Sequence, residues 1–374
     1  MADPASPDGG DRDTADTLQA LRGDIDALDR HILQLLNQRA AYAMRVGQIK
    51  RKEGSPIFRP EREVEVIAGL RAANTGPLPG ERLAPIWREI MSACRALEAP
   101  TRVAYLGPPG TFSEEAALGY FGSAIEGQPC SSIDEVFRAT TAGAADFGLV
   151  PLENSTEGMV GRSLDLFLTT PLHIVGETSL AVRHNLLRTT PGLDGLSAVC
   201  AHPQALAQCQ AWLNQHLPTV ERRAVASNAQ AAQMAAADGS LAAIASTRAA
   251  NLYGLHVACP AIQDDPSNRT RFAVVANPQT HPMPAATGQD GTSLVVSLAN
   301  RPGAVYDMLS PLKKLGVSMT RFESRPARSG QWEYYFYIDL AGHPRDPRLE
   351  QALQELQSQC AFFKLLGAYP RDPR

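Results

Sequence analysis

The feature that most constrains this chain is a long apolar seam near its start. Leucine and isoleucine recur there every three or four residues, the period of one helix face, at Leu18, Leu21, Ile25, Leu28, Ile32 and Leu35. The segment runs to Lys52 without a proline and predicts a helix of about 35 residues, roughly 50 Å long at 1.5 Å per residue. Two shorter helical segments, 61–73 and 81–98, cannot cover the whole seam. We therefore expect an intertwined homodimer or a higher homo-oligomer.

Composition narrows the classes of protein that this chain can be. With 374 residues it exceeds one ordinary core, which predicts two or three domains. The formal net charge is −4 without a basic block, so nucleic-acid binding has no support. No apolar run reaches the roughly 18 residues that a membrane span needs. The six cysteines are scattered without a Cys-x-x-Cys pair, which favours reduced thiols in the cytoplasm over disulfides or a zinc site.

The chain divides into segments of different pattern. An acidic start without the apolar core of a signal peptide predicts a disordered tail. From Thr101 to Ala276 strands and helices alternate, which predicts an α/β domain with a largely parallel sheet. Three prolines mark a linker, and the order βαββαβ after it, with one strand at Trp332–Leu340, predicts a ferredoxin-like sandwich. The predicted segments are 1–16, 17–100, 101–276, 277–290 and 291–370.

Basic residues interrupt the apolar pattern of the first helix. Arg39 and Lys50 are 11 residues apart, which places them about 20° from each other on one helix face. Arg22 lies roughly 100° away from that face and would point elsewhere, toward a partner subunit. A helix whose charged side chains only face solvent and bind no ligand would have the same pattern. The alternative is a cationic pocket for a small dianion.

The segments LRGDIDALDRHILQLLNQR, VGQIK, PIFRPERE and IMSACRALE resemble the all-helical chorismate mutase family. The resemblance implies a Claisen rearrangement of chorismate to prephenate, which needs a pinned dianion and cations beside the ether oxygen. It implies catalytic roles for Arg39, Lys50 and Glu98. Glu98 stands where the best-known members have Gln, and Arg59 where they have Asp. The further substrate-binding residues that it implies are Arg22 from the partner subunit, Arg59, Arg62, Glu63 and Cys94.

The middle segment resembles prephenate dehydratase, a two-lobed α/β fold with its site in an interlobe cleft. The matching stretches are RVAYLGPPGTFSEEAA, VPLENSTEGMV, HPQALAQC, SNAQAA, ASTRAANLYGL and DDPSNRTRFAVV. The resemblance implies that the Thr270 hydroxyl assists loss of the ring hydroxyl of prephenate, a step that needs proton donation. Ala201 stands where relatives usually have Ser. The implied substrate-binding residues are Glu153, Asn154, Ser155, Gln208, Arg271 and Phe272.

The last segment resembles an ACT domain of the phenylalanine-sensing kind. The resemblance rests on Gly-Ala-Val-Tyr at 303–306 and Glu-Ser-Arg-Pro at 323–326. A glycine before a helix N-terminus allows a ligand carboxylate to approach backbone N–H groups. A tight turn with a surface ion pair would look the same. The implied effector-binding residues are Gly303, Ala304, Val305, Glu323, Ser324 and Arg325.

The order of the three segments resembles that of the bifunctional chorismate mutase–prephenate dehydratases, with phenylalanine as the feedback effector. Two alternatives stay open: a dehydratase whose helical domain serves only dimerisation, and a two-lobed sensor of aromatic ligands without catalysis. A dehydrogenase is disfavoured because the chain lacks a Gly-x-Gly-x-x-Gly turn. We expect no cofactor and no metal, since the histidines lack ligand spacing.

Overall fold

The N-terminal region is helical. The computed structural model describes residues 10–299, 301–327 and 334–372, with side chains from Thr17 onward. The region contains α1 (Gly10–Glu53), α2 (Pro60–Ala73) and α3 (Gly80–Glu98). The predicted disordered tail is wrong for residues 10–16, because α1 begins at Gly10; residues 1–9 lie outside the described part. The seam lies open in the single chain, with Leu28 61% and Ile25 55% exposed.

The α/β region consists of two lobes, each built on one sheet. The first lobe contains β1 (Thr101–Leu106), α4 (Phe112–Phe121), β2 (Ile125–Cys130), α5 (Ile133–Thr141), β3 (Phe147–Asn154), β4 (Gly158–Met159), α6 (Gly161–Thr169) and β5 (His173–Ala181). The second contains β6 (Asn185–Arg188), β7 (Ala198–Ala201), α7 (Pro203–Gln208), α8 (Gln210–His216), β8 (Glu221–Ala224), α9 (Asn228–Ala237), β9 (Leu241–Ala245), α10 (Thr247–Tyr253) and β10 (His256–Cys259). The chain then returns to the first lobe as β11 (Arg269–Ala276).

Both sheets are mixed, so the expectation of a largely parallel sheet is wrong. The first has the order β2-β1-β3-β11-β5, with β4 paired to β3. In it β1 is parallel to its neighbours, whereas the returning strand β11 is antiparallel to both β3 and β5. The second has the order β10-β6-β9-β7-β8, with β6 antiparallel to its neighbours. The strand that crosses back between the lobes causes the difference in the first sheet.

The C-terminal region is the predicted βαββαβ sandwich. It contains β12 (Asp290–Ser297), α11 (Ala304–Leu315), β13 (Met319–Pro326), β14 (Tyr334–Ala341), α12 (Pro347–Gln359) and β15 (Phe362–Pro370), with the sheet order β13-β14-β12-β15. Trp332, predicted to start a strand, lies outside the described residues.

The three regions pack against one another through shared cores. One face of the C-terminal sheet supplies Val295 and Tyr337 to the core of the first lobe. Strand β15 approaches β5 so closely that a Cβ on Gly367 would lie 2.1 Å from a backbone oxygen of Ile174, which only glycine permits. Phe58, between α1 and α2, is buried in the other core of the first lobe. Among the described residues no helix is long and apolar enough to cross a membrane.

Candidate active and effector sites

A cleft of about 360 Å³ lies between the two lobes of the α/β region. The first lobe contributes Asn154, Thr270 and Phe272 to its lining, and the second contributes His184 and Gln208. Side chains on a strand point alternately to opposite faces, so Thr270 and Phe272 of β11 face the cleft together. The cleft thus gathers four of the seven residues predicted for dehydration: Asn154, Gln208, Thr270 and Phe272.

The Thr270 hydroxyl is held by an amide. Asn154 Nδ2 donates to Thr270 Oγ1 at 2.9 Å. Asn154 Oδ1 accepts from the backbone N–H groups of Thr156 and Glu157 at 3.0 and 3.2 Å, which fixes the direction of the amide. Since Thr270 accepts from Asn154, its own hydrogen is left to donate into the cleft.

Arg271, Glu153 and Ser155 lie on the other face of the sheet. They line an outer cavity of about 420 Å³ together with Glu177 and Arg321. The prediction that these three line the same pocket as Thr270 is therefore corrected. The physical reason is the two-residue period of β3 and β11, which turns neighbours of a cleft residue away from the cleft.

Arg271 instead joins the first lobe to the C-terminal sandwich. Its Nε lies 2.7 Å from Glu177 Oε2, and its Nη2 lies 2.8 Å from Asp339 Oδ2 of β14. Burial opposes the charge of this guanidinium, but Tyr369, Asp339 and Glu177 outweigh burial and raise the pKa of Arg271. Thr270 and Arg271 are consecutive, so one strand contacts the cleft on one face and the sandwich on the other.

A second group of charged residues lies where α1 and α3 pack. Lys50 Nζ donates to the Ile57 carbonyl at 2.8 Å and lies 3.9 Å from Glu98 Oε2. That Glu98 oxygen is buried and makes no hydrogen bond. Burial raises the pKa values of Glu63 and Glu98, and the nearby positive charge of Arg39 is one of the charges that oppose both shifts. Arg39, Lys50, Glu63 and Glu98 thus belong to one group of charged residues, and Cys94 is buried one helical turn before Glu98.

Arg95 is a residue of this group that sequence analysis missed. It bonds to Glu63 and to the Phe121 carbonyl, and its guanidinium lies 4.7 Å from the centroid of the Phe58 ring. Burial raises the pKa of Glu63, and the charge of Arg95 opposes that rise. The sequence signal was available, because Arg95 stands between Cys94 and Glu98 in one of the matching segments.

The three remaining predicted arginines of the helical region have different surroundings in the single chain. Arg22 is exposed on the open part of α1. Arg59 pairs with Glu61 at 2.8 Å and lines a cavity of about 440 Å³ together with Lys50. Arg62 pairs with Glu65 at 3.0 Å, and both side chains are exposed. A single chain therefore does not assemble the whole predicted pocket.

The two predicted effector motifs lie at the same end of the C-terminal sheet. The register pairs Arg325 with Tyr335, and Tyr335 with Ser297 at the end of β12. The chain leaves the sheet there and reaches Gly303, which precedes α11 with a φ of 82°. Gly303 and Val305 are exposed, and Ala304 is half-buried. Backbone N–H groups at this helix start are open to a ligand.

Arg325 is engaged between domains. Its Nη2 lies 3.1 Å from Asp165 of α6, and Arg321 on the same strand pairs with Glu153 of β3. Successive side chains of β13 point to opposite faces of the sheet, so Glu323 shares the face of these two arginines, toward the first lobe. Ser324 is exposed on the other face. The prediction of Arg325 as an effector ligand needs correction, because its guanidinium joins the sandwich to the first lobe.

Comparison with known proteins assigns each region. The family models for chorismate mutase type II, prephenate dehydratase and the ACT domain match residues 21–99, 103–280 and 292–357. A bifunctional chorismate mutase/prephenate dehydratase of Neisseria gonorrhoeae is 47% identical over 352 residues, 93% of this chain and 96% of the relative. One of Stutzerimonas stutzeri is 46% identical over 363 residues, 96% of this chain and 98% of the relative. The chain belongs to this bifunctional family.

A solved structure supports the arrangement of the last two domains. The prephenate dehydratase of Arthrobacter aurescens in complex with L-Phe has a TM-score of 0.67 and 34% identity, over 72% of this chain and 90% of that one. The predicted types of the three domains and their order are confirmed. The chain is thus a chorismate mutase, which rearranges chorismate to prephenate, and a prephenate dehydratase, which converts prephenate to phenylpyruvate.

Glu98 leads to a prediction about the pH dependence of the mutase. In the role predicted for Glu98, only the protonated form can donate a hydrogen bond to the ether oxygen, while the carboxylate would repel the charge that develops there. Burial raises the pKa of Glu98, and Lys50 opposes this rise most strongly. The active form is therefore present below the raised pKa and lost as pH increases through it. We expect kcat/KM for chorismate to fall with rising pH in the wild type.

The matched variant is Glu98→Gln, which keeps a donor at every pH. Its profile should extend flat toward neutral and higher pH. The measurement is kcat/KM for chorismate from about pH 5 to 9 in both proteins. Superimposable profiles would show that Glu98 has no such role.

Proposed function

We propose that the interlobe cleft is the dehydratase site and that the Thr270 hydroxyl delivers a proton to the departing ring hydroxyl. The ring carboxylate of prephenate leaves as CO2, its electron pair completes the aromatic ring, and the C–O bond to the ring hydroxyl breaks. A proton delivered through the Thr270 hydroxyl lets that oxygen leave as water. The observation that carries the proposal is the Asn154 hydrogen bond, which makes Thr270 an acceptor on one side and a donor toward the cleft.

We propose that the mutase site consists of Arg39, Lys50 and Glu98 of one chain, completed by Arg22 of the partner subunit. The cations hold the two carboxylates of chorismate in a folded conformer. Lys50 supports this role because its Nζ lies 3.9 Å from the buried Glu98 Oε2. Burial lowers the pKa of Lys50, and the charge of Glu98 opposes that shift. The open seam of α1 supports a homodimer, since an apolar stripe of this length is seldom left to solvent.

The test of the two assignments is a coupled assay on the purified full-length protein. Given chorismate alone, it should form phenylpyruvate, with prephenate as the intermediate. Arg39→Ala should stop this conversion yet leave turnover of added prephenate unchanged. If the wild type turns over prephenate but not chorismate, the helical domain serves only dimerisation and the mutase proposal fails.

We propose that phenylalanine binds the ACT domain and inhibits the dehydratase. Support comes from the Arthrobacter aurescens relative in complex with L-Phe and from the exposed turn at Gly303. The Glu323 carboxylate would pair with the amino group of phenylalanine. The N–H groups at the start of α11 would bind the carboxylate of phenylalanine. Gly303 precedes a helix on one side of the sheet, while Glu323 faces the other side. One phenylalanine would therefore contact the Gly303 turn of one subunit and Glu323 of another.

Glu323→Ala is expected to weaken phenylalanine binding about tenfold or more, because the ammonium loses its charged partner. Inhibition requires different affinities for two states, and a coupling of about 5- to 150-fold is typical. Prephenate should then weaken phenylalanine binding by the same factor. The measurement is calorimetry on the full-length protein with and without prephenate. Glu350→Ala, exposed on α12, is the control; equal affinities in the two variants would refute the role of Glu323.

We also propose a cytoplasmic location. All six cysteines are unpaired thiols, and four of them are buried. Reduced thiols are typical of that compartment.

A further inference from the structure

Four side chains beside Thr270 form a closed ring of hydrogen bonds that runs in one direction. Gln208 Nε2 donates to Thr156 Oγ1 at 2.9 Å, and Thr156 Oγ1 donates to Asn154 Oδ1 at 2.5 Å. Asn154 Nδ2 donates to Asn268 Oδ1 at 2.9 Å. Asn268 Nδ2 closes the ring on Gln208 Oε1 at 3.0 Å. Each member donates to the next, so none of the three amides can turn over without breaking two bonds of the ring.

The direction of the ring is set from outside it. Asn154 Oδ1 accepts two backbone N–H groups, so the other atom of this amide must be the donor. That assignment makes Asn268 Oδ1 an acceptor and Asn268 Nδ2 a donor, which in turn fixes Gln208 Oε1 as an acceptor. Asn268 is 1% exposed, so water cannot replace these partners.

One residue outside the ring donates a hydrogen bond to it, the incoming branch, and the ring donates one to a residue outside it, the outgoing branch. His184 Nε2 lies 2.9 Å from Gln208 Oε1. Since that oxygen accepts, His184 must carry its proton on Nε2. Burial lowers the pKa of His184, which favours this neutral form. The outgoing branch is the second hydrogen of Asn154 Nδ2, which reaches Thr270 Oγ1.

The ring also connects the two lobes. In the first lobe, Asn154 is the last residue of β3, Thr156 follows it by two residues, and Asn268 directly precedes β11. Gln208 is the last residue of α7 in the second lobe, and His184 stands just before β6. The orientation of the Thr270 hydroxyl is thereby tied to the relative position of the lobes.

We propose that Thr156, Asn268 and His184 are positioning residues for the dehydration, acting through Asn154 on the Thr270 hydroxyl. The ring holds Asn154 Nδ2 against one lone pair of Thr270 Oγ1. The hydroxyl hydrogen then points into the cleft before prephenate arrives, and no reorientation is needed during the reaction. This inference rests on the proposed role of Thr270.

The first test uses Thr156, which is exposed, so that its replacement should leave the fold intact. Thr156→Val removes the hydroxyl at constant shape and opens the ring. We expect kcat for prephenate to fall about 3- to 10-fold, the effect of one neutral hydrogen bond, with KM changed less than about twofold. Thr156→Ser keeps the hydroxyl and should restore kcat. Ser267→Ala, on the exposed loop beside the ring, is the control and should match the wild type.

The second test concerns the incoming branch. His184→Leu leaves Gln208 Oε1 without this donor and should lower kcat by a similar factor. His184→Gln can supply an N–H at the same place and should recover most of the loss. The mutase activity of the same samples reports whether the helical domain of each variant is folded. Thermal unfolding reports the stability of the other domains. Equal kcat in the Leu and Gln variants would overturn the role of His184.

A double-variant cycle separates this inference from the function on which it rests. If the ring acts through Thr270, Thr156→Val in a Thr270→Ala background should cause no further loss. Losses that multiply would show that the ring has a separate, structural effect, and would overturn the inference while Thr270 keeps its role. If Thr270→Ala alone leaves kcat unchanged, the proposed function of Thr270 fails, and the inference fails with it.

Discussion

Replacing Thr270 with alanine is expected to lower the dehydratase kcat by about 10²-fold or more, a typical loss for a positioned proton donor. The mutase kcat of the same protein should not change. The cleft contains the hydroxyl, the amide that orients it and the apolar wall of Phe272, all within one α/β region. The charged group around Lys50 and Glu98 belongs to the helical region, so the loss should be confined to one reaction.

The effect should appear in kcat rather than in KM, because the hydroxyl contributes mainly when the C–O bond breaks. Thr270→Ser, which keeps the hydroxyl, should retain far more activity than Thr270→Ala and serves as the matched control. Initial rates with added prephenate and with chorismate, measured on one preparation, give both numbers. Equal loss of the two activities would indicate misfolding or a shared site.

The Thr-Arg-Phe stretch shows how far sequence could predict the cleft. The resemblance marked 270–272 as one functional motif, and the structure divides it. Thr270 and Phe272 face the cleft, whereas Arg271 pairs with Glu177 and Asp339 on the opposite face. The alternation of a strand predicts this division. The partners of Arg271 could not be predicted, because they depend on how the ACT domain packs on the lobe.

The resemblance indicated Asn154 and Gln208 as cleft residues, but the hydrogen-bonded ring that joins them could not be predicted, for a related reason. Asn154 and Asn268 are 114 residues apart, and Asn268 and Gln208 are 60 apart. Residues so far apart in the chain are not related by the period of a helix or a strand. In the sequence, an amide residue that becomes buried also looks the same as one in an exposed loop. Local signals predicted the order of strands and helices, which follows from apolar periodicity. The direction of β11 depended on the crossing between lobes, and that is a property of the whole fold.

Leu28→Glu is expected to leave the protein monomeric and to lower mutase kcat/KM by about 10²-fold or more. The seam of α1 is open in the single chain: Leu21, Ile25, Leu28 and Ile32 are each at least half exposed. Burial of one such side chain contributes about 1.5–3 kcal/mol, so several together favour a dimer strongly. A carboxylate in the middle of that interface would be buried without a partner, which is costly.

Loss of the dimer should remove mutase activity because Arg22 of the partner subunit completes the proposed pocket. Dehydratase activity at saturating prephenate should persist, since the cleft is formed within one chain. Arg30→Glu is the control: Arg30 lies on the face of α1 opposite Leu28 at 100° per residue and is exposed. Sedimentation velocity and both assays on each variant give the answer. A monomeric Leu28→Glu protein with full mutase activity would show that one chain builds the whole site, and Arg22 of the partner subunit would then have no part in it.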